Sequence, residues 1–81
     1  MNETKVDSTT LLAVAYDGAG EILRLEFRNR AIYHYYGVPA VLHEALLEAA
    51  SKGGYFNRVI RGRFPYVLTA SAQDGLSAGK A

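Results

Sequence analysis

The sequence contains no cysteine, and it has only two prolines and two histidines among 81 residues. Without cysteine the chain can form no disulfide, no thiolate metal site and no cysteine nucleophile. No apolar run approaches the roughly 20 residues that a membrane span needs. The first residues, "MNETKVDS", lack the apolar region of a signal peptide. These absences predict a cytoplasmic protein without a membrane partner.

Composition and charge limit the functions that remain. Hydrophobic residues make up 49% of the chain and charged residues 21%, which is typical of a globular domain. The length allows one domain at most. The formal net charge is only +1 and the isoelectric point is near 8.0, below the value of about 9 that is usual for a dedicated nucleic-acid-binding domain. A nucleic-acid function therefore depends on where the positive charges lie.

Three segments have the patterns of β-strands. Residues 9–16 are almost uniformly apolar, as in a strand that is covered on both faces. Residues 21–28 alternate between apolar and charged side chains, which indicates one buried and one solvated face. Residues 31–37 are rich in aromatic side chains. Short connections, the first of them rich in glycine, predict a three-stranded antiparallel meander.

Two helices are predicted after the meander. Residues 39–51 carry apolar side chains at spacings of three and four, and a proline is well placed at the first helical position. Gly53-Gly54 is expected to end this helix in a tight turn. Residues 55–61 then form a second short helix, which Gly62 would terminate.

The remaining segments complete the predicted fold. Residues 64–69 are predicted to form a short strand. Pro65 places it at the edge of the sheet, because proline has no N–H to donate to a neighbouring strand. Residues 1–8 are expected to be a flexible N-terminus, and residues 70–81 a disordered tail. The fold class is thus α+β, with a single domain over residues 9–69 in which both helices pack on one sheet face.

The segment "SKGGYFNRVIRGRFPY", residues 51–66, is the main candidate for a binding site. It contains four basic residues and no acidic one, interleaved with aromatic side chains. Phe56 and Ile60 are expected to lie in the core, whereas a basic face with nearby aromatic rings suits single-stranded RNA. The alternative is a solvated helix face without a ligand. The candidate contacts are Lys52, Arg58, Arg61 and Arg63 for phosphate, Asn57 or Tyr55 for sugar or base, and Gly53 at the helix entry.

Tyr33 and Tyr35 are further candidates, and their exposure depends on the hairpin before them. A two-residue turn at Asn29-Arg30 places both rings on the solvated face as a stacking platform. A three-residue loop shifts the register by one residue and turns both rings into the core. Arg30 suits the tight turn poorly and His34 suits the core poorly, so both residues favour the longer loop.

No catalytic or metal-binding constellation is evident. His34 and His43 lie on different predicted elements, and neither belongs to a triad or metal motif. Glu44 and Glu48 are spaced as neighbours on a solvated helix face. We therefore expect a non-catalytic protein without a cofactor or metal, and hydrolysis of RNA by one of the histidines is the weaker alternative.

Three motifs together resemble the KTSC domain: "AVAYD" at residues 13–17, "YHYYGVP" at 33–39 and the segment 51–66. This family is named for its occurrence at the C-terminus of some lysyl-tRNA synthetases, and it also occurs as small stand-alone bacterial proteins. Ala15 and Arg30 depart from the family pattern, where glycine is usual. The resemblance implies an RNA partner, because the basic segment coincides with the family signature.

Two functions are therefore expected from different classes. The leading one is an RNA- or tRNA-binding module that uses residues 51–66. The alternative is protein–protein interaction or homodimer formation through the open face of the sheet, which an exposed Tyr33, Tyr35 or Tyr36 would favour.

Overall fold

A computed structural model describes residues 2–6 and 8–70. It contains one five-stranded antiparallel sheet in which the strands follow chain order. The strands are β1 (Asn2–Lys5), β2 (Leu11–Asp17), β3 (Ile22–Phe27), β4 (Ile32–Tyr36) and β5 (Tyr66–Ala70). Between β4 and β5 lie α1 (Ala40–Glu48) and α2 (Lys52–Tyr55), which continues into a π-helical turn (Phe56–Ile60). The predicted α+β class is confirmed.

The sheet has five strands, whereas the sequence predicted a three-stranded meander and an edge strand. The edge strand is confirmed as β5, which pairs with β4 directly after Pro65. The additional strand is β1, which lies in the segment that we expected to be flexible and pairs with β2. Its sequence, NETK, has no apolar pattern. An edge strand does not need one, because backbone hydrogen bonds to the neighbouring strand can hold it in the sheet. The predicted tail begins at the end of β5, and residues 71–81 lie outside the described residues.

Both helices cover the same face of the sheet, as predicted. The side chains that form the core are Leu11, Val14, Leu23, Leu25, Tyr35, Val38, Leu46, Phe56 and Ile60. On the opposite face, Ala15 of β2 lies between Glu3 and Arg24 of the neighbouring strands, and these two form an ion pair at 3.4 Å. That face carries no helix from the described part of the chain. None of the described helices is long and apolar enough to traverse a bilayer.

The hairpin between β3 and β4 has the longer of the two predicted loops. The Phe27 N–H donates to the Ala31 carbonyl at 2.9 Å, which leaves three residues in the loop. The third of them, Arg30, has a φ of 72°, the left-handed conformation that such a loop requires. Consequently Tyr33 and Tyr35 pair with leucines of β3 on the core face, and the prediction that they turn inward is confirmed.

The second helix begins earlier than predicted. Ser51 is its N-cap, because the Gly54 N–H donates to the Ser51 Oγ at 3.1 Å. The glycines therefore lie inside the first turn of α2, and the prediction that they form a tight turn between the helices is wrong. Gly53 is buried against Thr10, and a Cβ atom at Gly53 would lie 2.5 Å from the Thr10 Oγ1. The helix approaches the sheet so closely here that only glycine, which has no Cβ atom, fits without a clash.

Two turns of unusual geometry end the second helix. The Arg61 N–H donates at 2.8 Å to the carbonyl of Phe56, five residues earlier, which is the π-helical pattern. The next bond, from the Arg63 N–H to the Ile60 carbonyl at 3.1 Å, closes a type II turn. Gly62 occupies the position of this turn that needs positive φ, and its φ is 79°. Arg61 thus lies in a turn rather than on a helix face.

Candidate nucleic-acid interface

An open cleft of about 360 Å³ lies beside the β3–β4 loop, the strands β4 and β5, and the π-helical turn. We call it the tyrosine cleft. Its lining includes the aromatic rings of Phe27, Tyr33, Tyr35, Phe56 and Tyr66. Polar groups at the cleft include Asn29, Asn57 and Arg61, and no acidic side chain of the described residues lines it. Of the predicted site residues, Tyr33, Tyr35, Asn57 and Arg61 come together here.

Three tyrosines form a compact cluster in the cleft. The ring centroids of Tyr33 and Tyr35 are 6.1 Å apart, and the Tyr66 ring lies 5.5 Å and 5.4 Å from them. Tyr35 is 4% exposed and stands edge-on against the core ring of Phe56 at 5.5 Å. Tyr66 is 57% exposed. The cluster therefore runs from the core to the surface, and Tyr66 is the ring most open to a ligand.

Burial makes the Tyr35 hydroxyl harder to ionise. Desolvation, together with the neighbouring Tyr33 and Tyr66, raises the pKa of Tyr35 to about 12, and the positive charge of Arg61 opposes this increase. At neutral pH this hydroxyl is therefore uncharged and retains its proton as a hydrogen-bond donor.

Arg61 and Asn57 form the polar side of the cleft. The Arg61 Nη1 donates to the Asn57 Oδ1 at 3.5 Å, a long hydrogen bond between two exposed side chains. Arg61 is the single cation among the described residues that line the cleft. The cleft therefore combines apolar rings with one guanidinium group and one amide, and it can accommodate a planar ligand with one negative charge.

Three other predicted residues have structural contacts. The Lys52 Nζ donates at 3.0 Å to the Ala49 carbonyl just after α1, where a cation suits the negative end of the helix dipole. Gly53 packs against Thr10, as described above. Tyr55 is half-buried and packs against the core. Lys52 and Gly53 line a separate small pocket of about 190 Å³, away from the tyrosine cleft.

The remaining arginines lie outside the lining of the cleft. Arg58 is exposed, and its Nη1 lies 3.2 Å from the position that a Cβ atom on Gly54 would occupy, beside the first turn of α2. Arg63 is exposed in the connection to β5. We expected Arg58 and Arg61 to point the same way, as in a regular α-helix. In the structure Arg61 lines the cleft at the end of the π-helical turn, and Arg58 is outside that lining.

Tyr66 lies in the segment 51–66, but the sequence alone did not identify it as one of the contact residues. It belongs to the edge strand, and it lies directly opposite Tyr35 in the pairing of β4 with β5. Its alternation with Leu68 is a strand signal, but the sequence does not reveal which strand it pairs with. Asn29, in the β3–β4 loop, also lines the cleft and was not among the predicted site residues.

The two histidines lie on opposite sides of the sheet. His43 stacks on Tyr16, with ring centroids 4.7 Å apart and an interplanar angle of 12°. Burial lowers the pKa of His43, and Glu44 partly counteracts the decrease. His34 lies on the open face, 6.5 Å from the ring of Tyr36. Each histidine therefore has an aromatic neighbour, and no group of three His, Asp or Glu within the described ranges could hold a metal ion.

The fold and the cleft define a small α+β domain built on one antiparallel sheet, and comparison with known proteins identifies its family. The sequence pattern of the KTSC domain family matches residues 7–64. A KTSC domain protein from Yersinia pestis has a crystal structure that aligns with a TM-score of 0.82 and 33% sequence identity, covering 85% of this chain and 97% of that one. The chain belongs to the KTSC domain family.

Relatives of two kinds are similar to this chain. An uncharacterized protein of Stutzerimonas stutzeri is 39% identical over 61 residues, which cover 75% of this chain and 86% of that protein. A lysine–tRNA ligase of Nostoc sp. (strain PCC 7120) is 39% identical over 62 residues, or 76% of this chain. The match spans only 11% of the ligase.

Proposed function

We propose that this chain is a non-catalytic RNA-binding module whose partner is tRNA or another RNA with a single-stranded segment. The observation that carries the proposal is the tyrosine cleft, where the exposed ring of Tyr66 adjoins Asn57 and Arg61 and no acidic side chain belongs to the described lining. Proteins recognise single-stranded RNA by stacking bases on such rings and pairing phosphates with guanidinium groups. The similarity to part of a lysine–tRNA ligase supports an RNA partner.

In this proposal each of the exposed arginines contacts a different phosphate of the RNA. Arg61 contacts the phosphate nearest the cleft, and its planar guanidinium can bind two phosphate oxygens at once. Arg58 and Arg63 are both exposed, and they contact further phosphates along the RNA strand. Because the net charge of the chain is only +1, attraction over long distances is weak. Affinity then comes from local contacts and decreases with salt.

Charge reversal of Arg58 and Arg61 tests the proposal. We expect the R58E/R61E variant to bind unmodified tRNA and a short single-stranded RNA at least about tenfold more weakly, a loss of about 1.4 kcal/mol. The slope of log affinity against log salt should become shallower by about one to two phosphate contacts. Fluorescence anisotropy at several salt concentrations measures both quantities.

A matched control separates the site from the net charge. The K5E/R24E variant has the same change in charge, but its substitutions lie on β1 and on the helix-free face of β3. We expect its affinity to stay within about threefold of the wild-type value, because charges on the sheet face opposite the cleft are distant from a ligand there and are screened by salt. Equal losses in both variants, or no loss in R58E/R61E, would contradict this assignment of the phosphate site.

Self-association through the open sheet face is a second candidate function. Tyr36 is 36% exposed on that face, and Val67 of β5 is exposed there as well. Apolar contacts of this kind depend little on salt. If this face forms a homodimer, light scattering shows a dimer at both 50 mM and 500 mM salt, and Tyr36→Lys dissociates it. A monomer at high protein concentration excludes this candidate.

A further inference from the structure

We infer that the tyrosine cleft is a site for one unstacked nucleotide, with its base against Tyr66 and its phosphate at Arg61. The inference rests on the proposed function for its biological partner, an RNA strand. It names a narrower chemistry, a single base with one phosphate. That chemistry can be tested without RNA.

The size of the cleft limits its occupant. Its volume of about 360 Å³ lies at the lower end of the range of roughly 300–1,000 Å³ for small-molecule sites. One planar ring system with its sugar is commensurate with that volume, whereas a base pair or a helical stack is not. A base must therefore leave its stack to enter, as bases in single-stranded loops readily do.

The aromatic side of the cleft suits a flat ligand. The rings of Tyr66 and Tyr33 are 5.5 Å apart and inclined at 58°, so they do not stack face to face on each other. The largely exposed Tyr66 ring remains open to a base. Stacking of one base on an aromatic side chain contributes about 1–3 kcal/mol.

The polar side of the cleft distinguishes a base from an apolar ring. The Asn57 amide carries both donors and an acceptor, and its one side-chain hydrogen bond, to Arg61, is long at 3.5 Å. The hydroxyls of Tyr33 and Tyr35 have no hydrogen bond among those found within the described residues. A phenyl ring in the cleft would leave such groups desolvated without partners, which is unfavourable. The edge of a nucleobase can pair with them.

The charge of the cleft indicates a single phosphate. Arg61 is the one cation in the described lining, and the second pocket with Lys52 is separate. A diphosphate or triphosphate would leave its further charges uncompensated there. One nucleotide within an RNA strand, whose phosphodiester carries a single negative charge, matches this cation. A nucleoside monophosphate presents the same single phosphate group with about −1.5 to −2 charge near neutral pH.

Nuclear magnetic resonance titration of the full chain with AMP, GMP, CMP and UMP tests the inference. We expect saturable shifts at Asn57, Arg61 and Tyr66 with at least one of these nucleotides. Adenosine, which lacks the phosphate, should bind more weakly than AMP by about fivefold or more. Ribose 5-phosphate, which lacks the base, should give no saturable shift. Shifts that map outside the cleft, or equal binding of AMP and ribose 5-phosphate, would overturn the inference.

Substitutions on β5 provide the matched variants. Tyr66→Ala should weaken binding of the best nucleotide by about fivefold or more, and Tyr66→Phe should retain it within about twofold because the stacking surface remains. Val67 lies on the opposite face of the same strand, so Val67→Ala should also keep the affinity for the nucleotide within about twofold of the wild-type value. If Tyr66→Ala and Val67→Ala weaken nucleotide binding equally, the effect comes from a disturbed β5 and not from the loss of the Tyr66 ring. That result would overturn the proposed nucleotide site.

The same variants separate this inference from the proposed function. If the chain binds RNA and Tyr66→Ala leaves that binding and its salt dependence unchanged, the nucleotide site is wrong while RNA binding stands. If AMP or another mononucleotide binds in the cleft but RNA does not, the nucleotide site stands and the proposed RNA function fails.

Discussion

The Phe56→Ala variant is expected to lose about 3–5 kcal/mol of its free energy of unfolding. Phe56 is 6% exposed, and it makes edge-to-face contacts with Phe27 at 5.3 Å and with Tyr35 at 5.5 Å. Truncation removes both contacts and opens a cavity between the second helix and the sheet. A chain of 81 residues typically has about 4–12 kcal/mol of stability in total, so this loss is a large part of it.

Urea denaturation followed by circular dichroism measures the Phe56 effect. The control is Val41→Ala on α1, where the side chain is 65% exposed and its loss should cost no more than about 0.5 kcal/mol. If Phe56→Ala does not fold, Phe56→Leu should fold with a smaller loss, because it refills most of the cavity. A loss below about 1 kcal/mol in Phe56→Ala would contradict the role of this ring as the link between helix and sheet.

The Gly53→Ala variant is expected to be less stable than the wild type by about 1–3 kcal/mol. Alanine usually stabilises a helix relative to glycine by about 1 kcal/mol, so the expected sign is opposite to the helix propensity. The reason is steric: the new Cβ atom would lie 2.5 Å from the Thr10 Oγ1 and 3.0 Å from the Thr10 Cβ. Thr10 is β-branched and stands next to β2, so it cannot move away without moving backbone.

A double-mutant cycle with Thr10→Ala tests the steric explanation. Thr10→Ala removes the Oγ1 that makes the shortest contact, so the T10A/G53A variant should recover part of the loss seen in G53A. The measured quantity is the free energy of unfolding of the wild type, the two single variants and the double variant. A Gly53→Ala variant that is more stable than the wild type, or additive losses in the double variant, would show that the helix start has room for a side chain.

The geometry of the second helix links its stability to the candidate site. Phe56 and Ile60 anchor the π-helical turn in the core, while Asn57 on the same turn lines the tyrosine cleft. The type II turn at Gly62 then directs Arg61 to the cleft. π-helical turns are often found at functional sites, because they change the direction of side chains within a helix. Here Arg61, at the end of the turn, lines the cleft, and Arg58 does not.

Local patterns in the sequence were enough for most of the fold. The alternation at residues 21–28 predicted β3, and the spacing of apolar residues predicted α1. The inward orientation of Tyr33 and Tyr35 was the favoured of two alternatives, and the placement of His34 outside the core agrees with it. The poor fit of Arg30 to a tight turn does not explain the outcome, because Arg30 has a positive φ of 72° in the longer loop as well. β1 was missed because a polar edge strand carries no hydrophobic pattern. Its pairing partner, not its own composition, makes it a strand.

The candidate site was only partly predictable for a related reason. Asn57 and Arg61 were identified from the basic segment, and the motif similarity identified the family. Lys52 and Gly53 belong to the same motif, but the structure gives them helix-capping and packing contacts. Tyr66 lies in the predicted segment but was not named as a contact residue, since its place in the cleft depends on the pairing of β5 with β4.

By itself the sequence determined the α+β class, the family and the composition of the basic segment, because these depend on periodicity, turn residues and motif spacing along the chain. Only the tertiary structure decided which of those residues share a site. The pairing of β5 with β4 brings Tyr66 opposite Tyr35, and the π-helical and type II turns direct Arg61 to the same cleft. The strand pairing joins segments that are distant in sequence, which no local pattern specifies. The two turns are local, but the rings beside which they place Arg61 come from strands of the sheet.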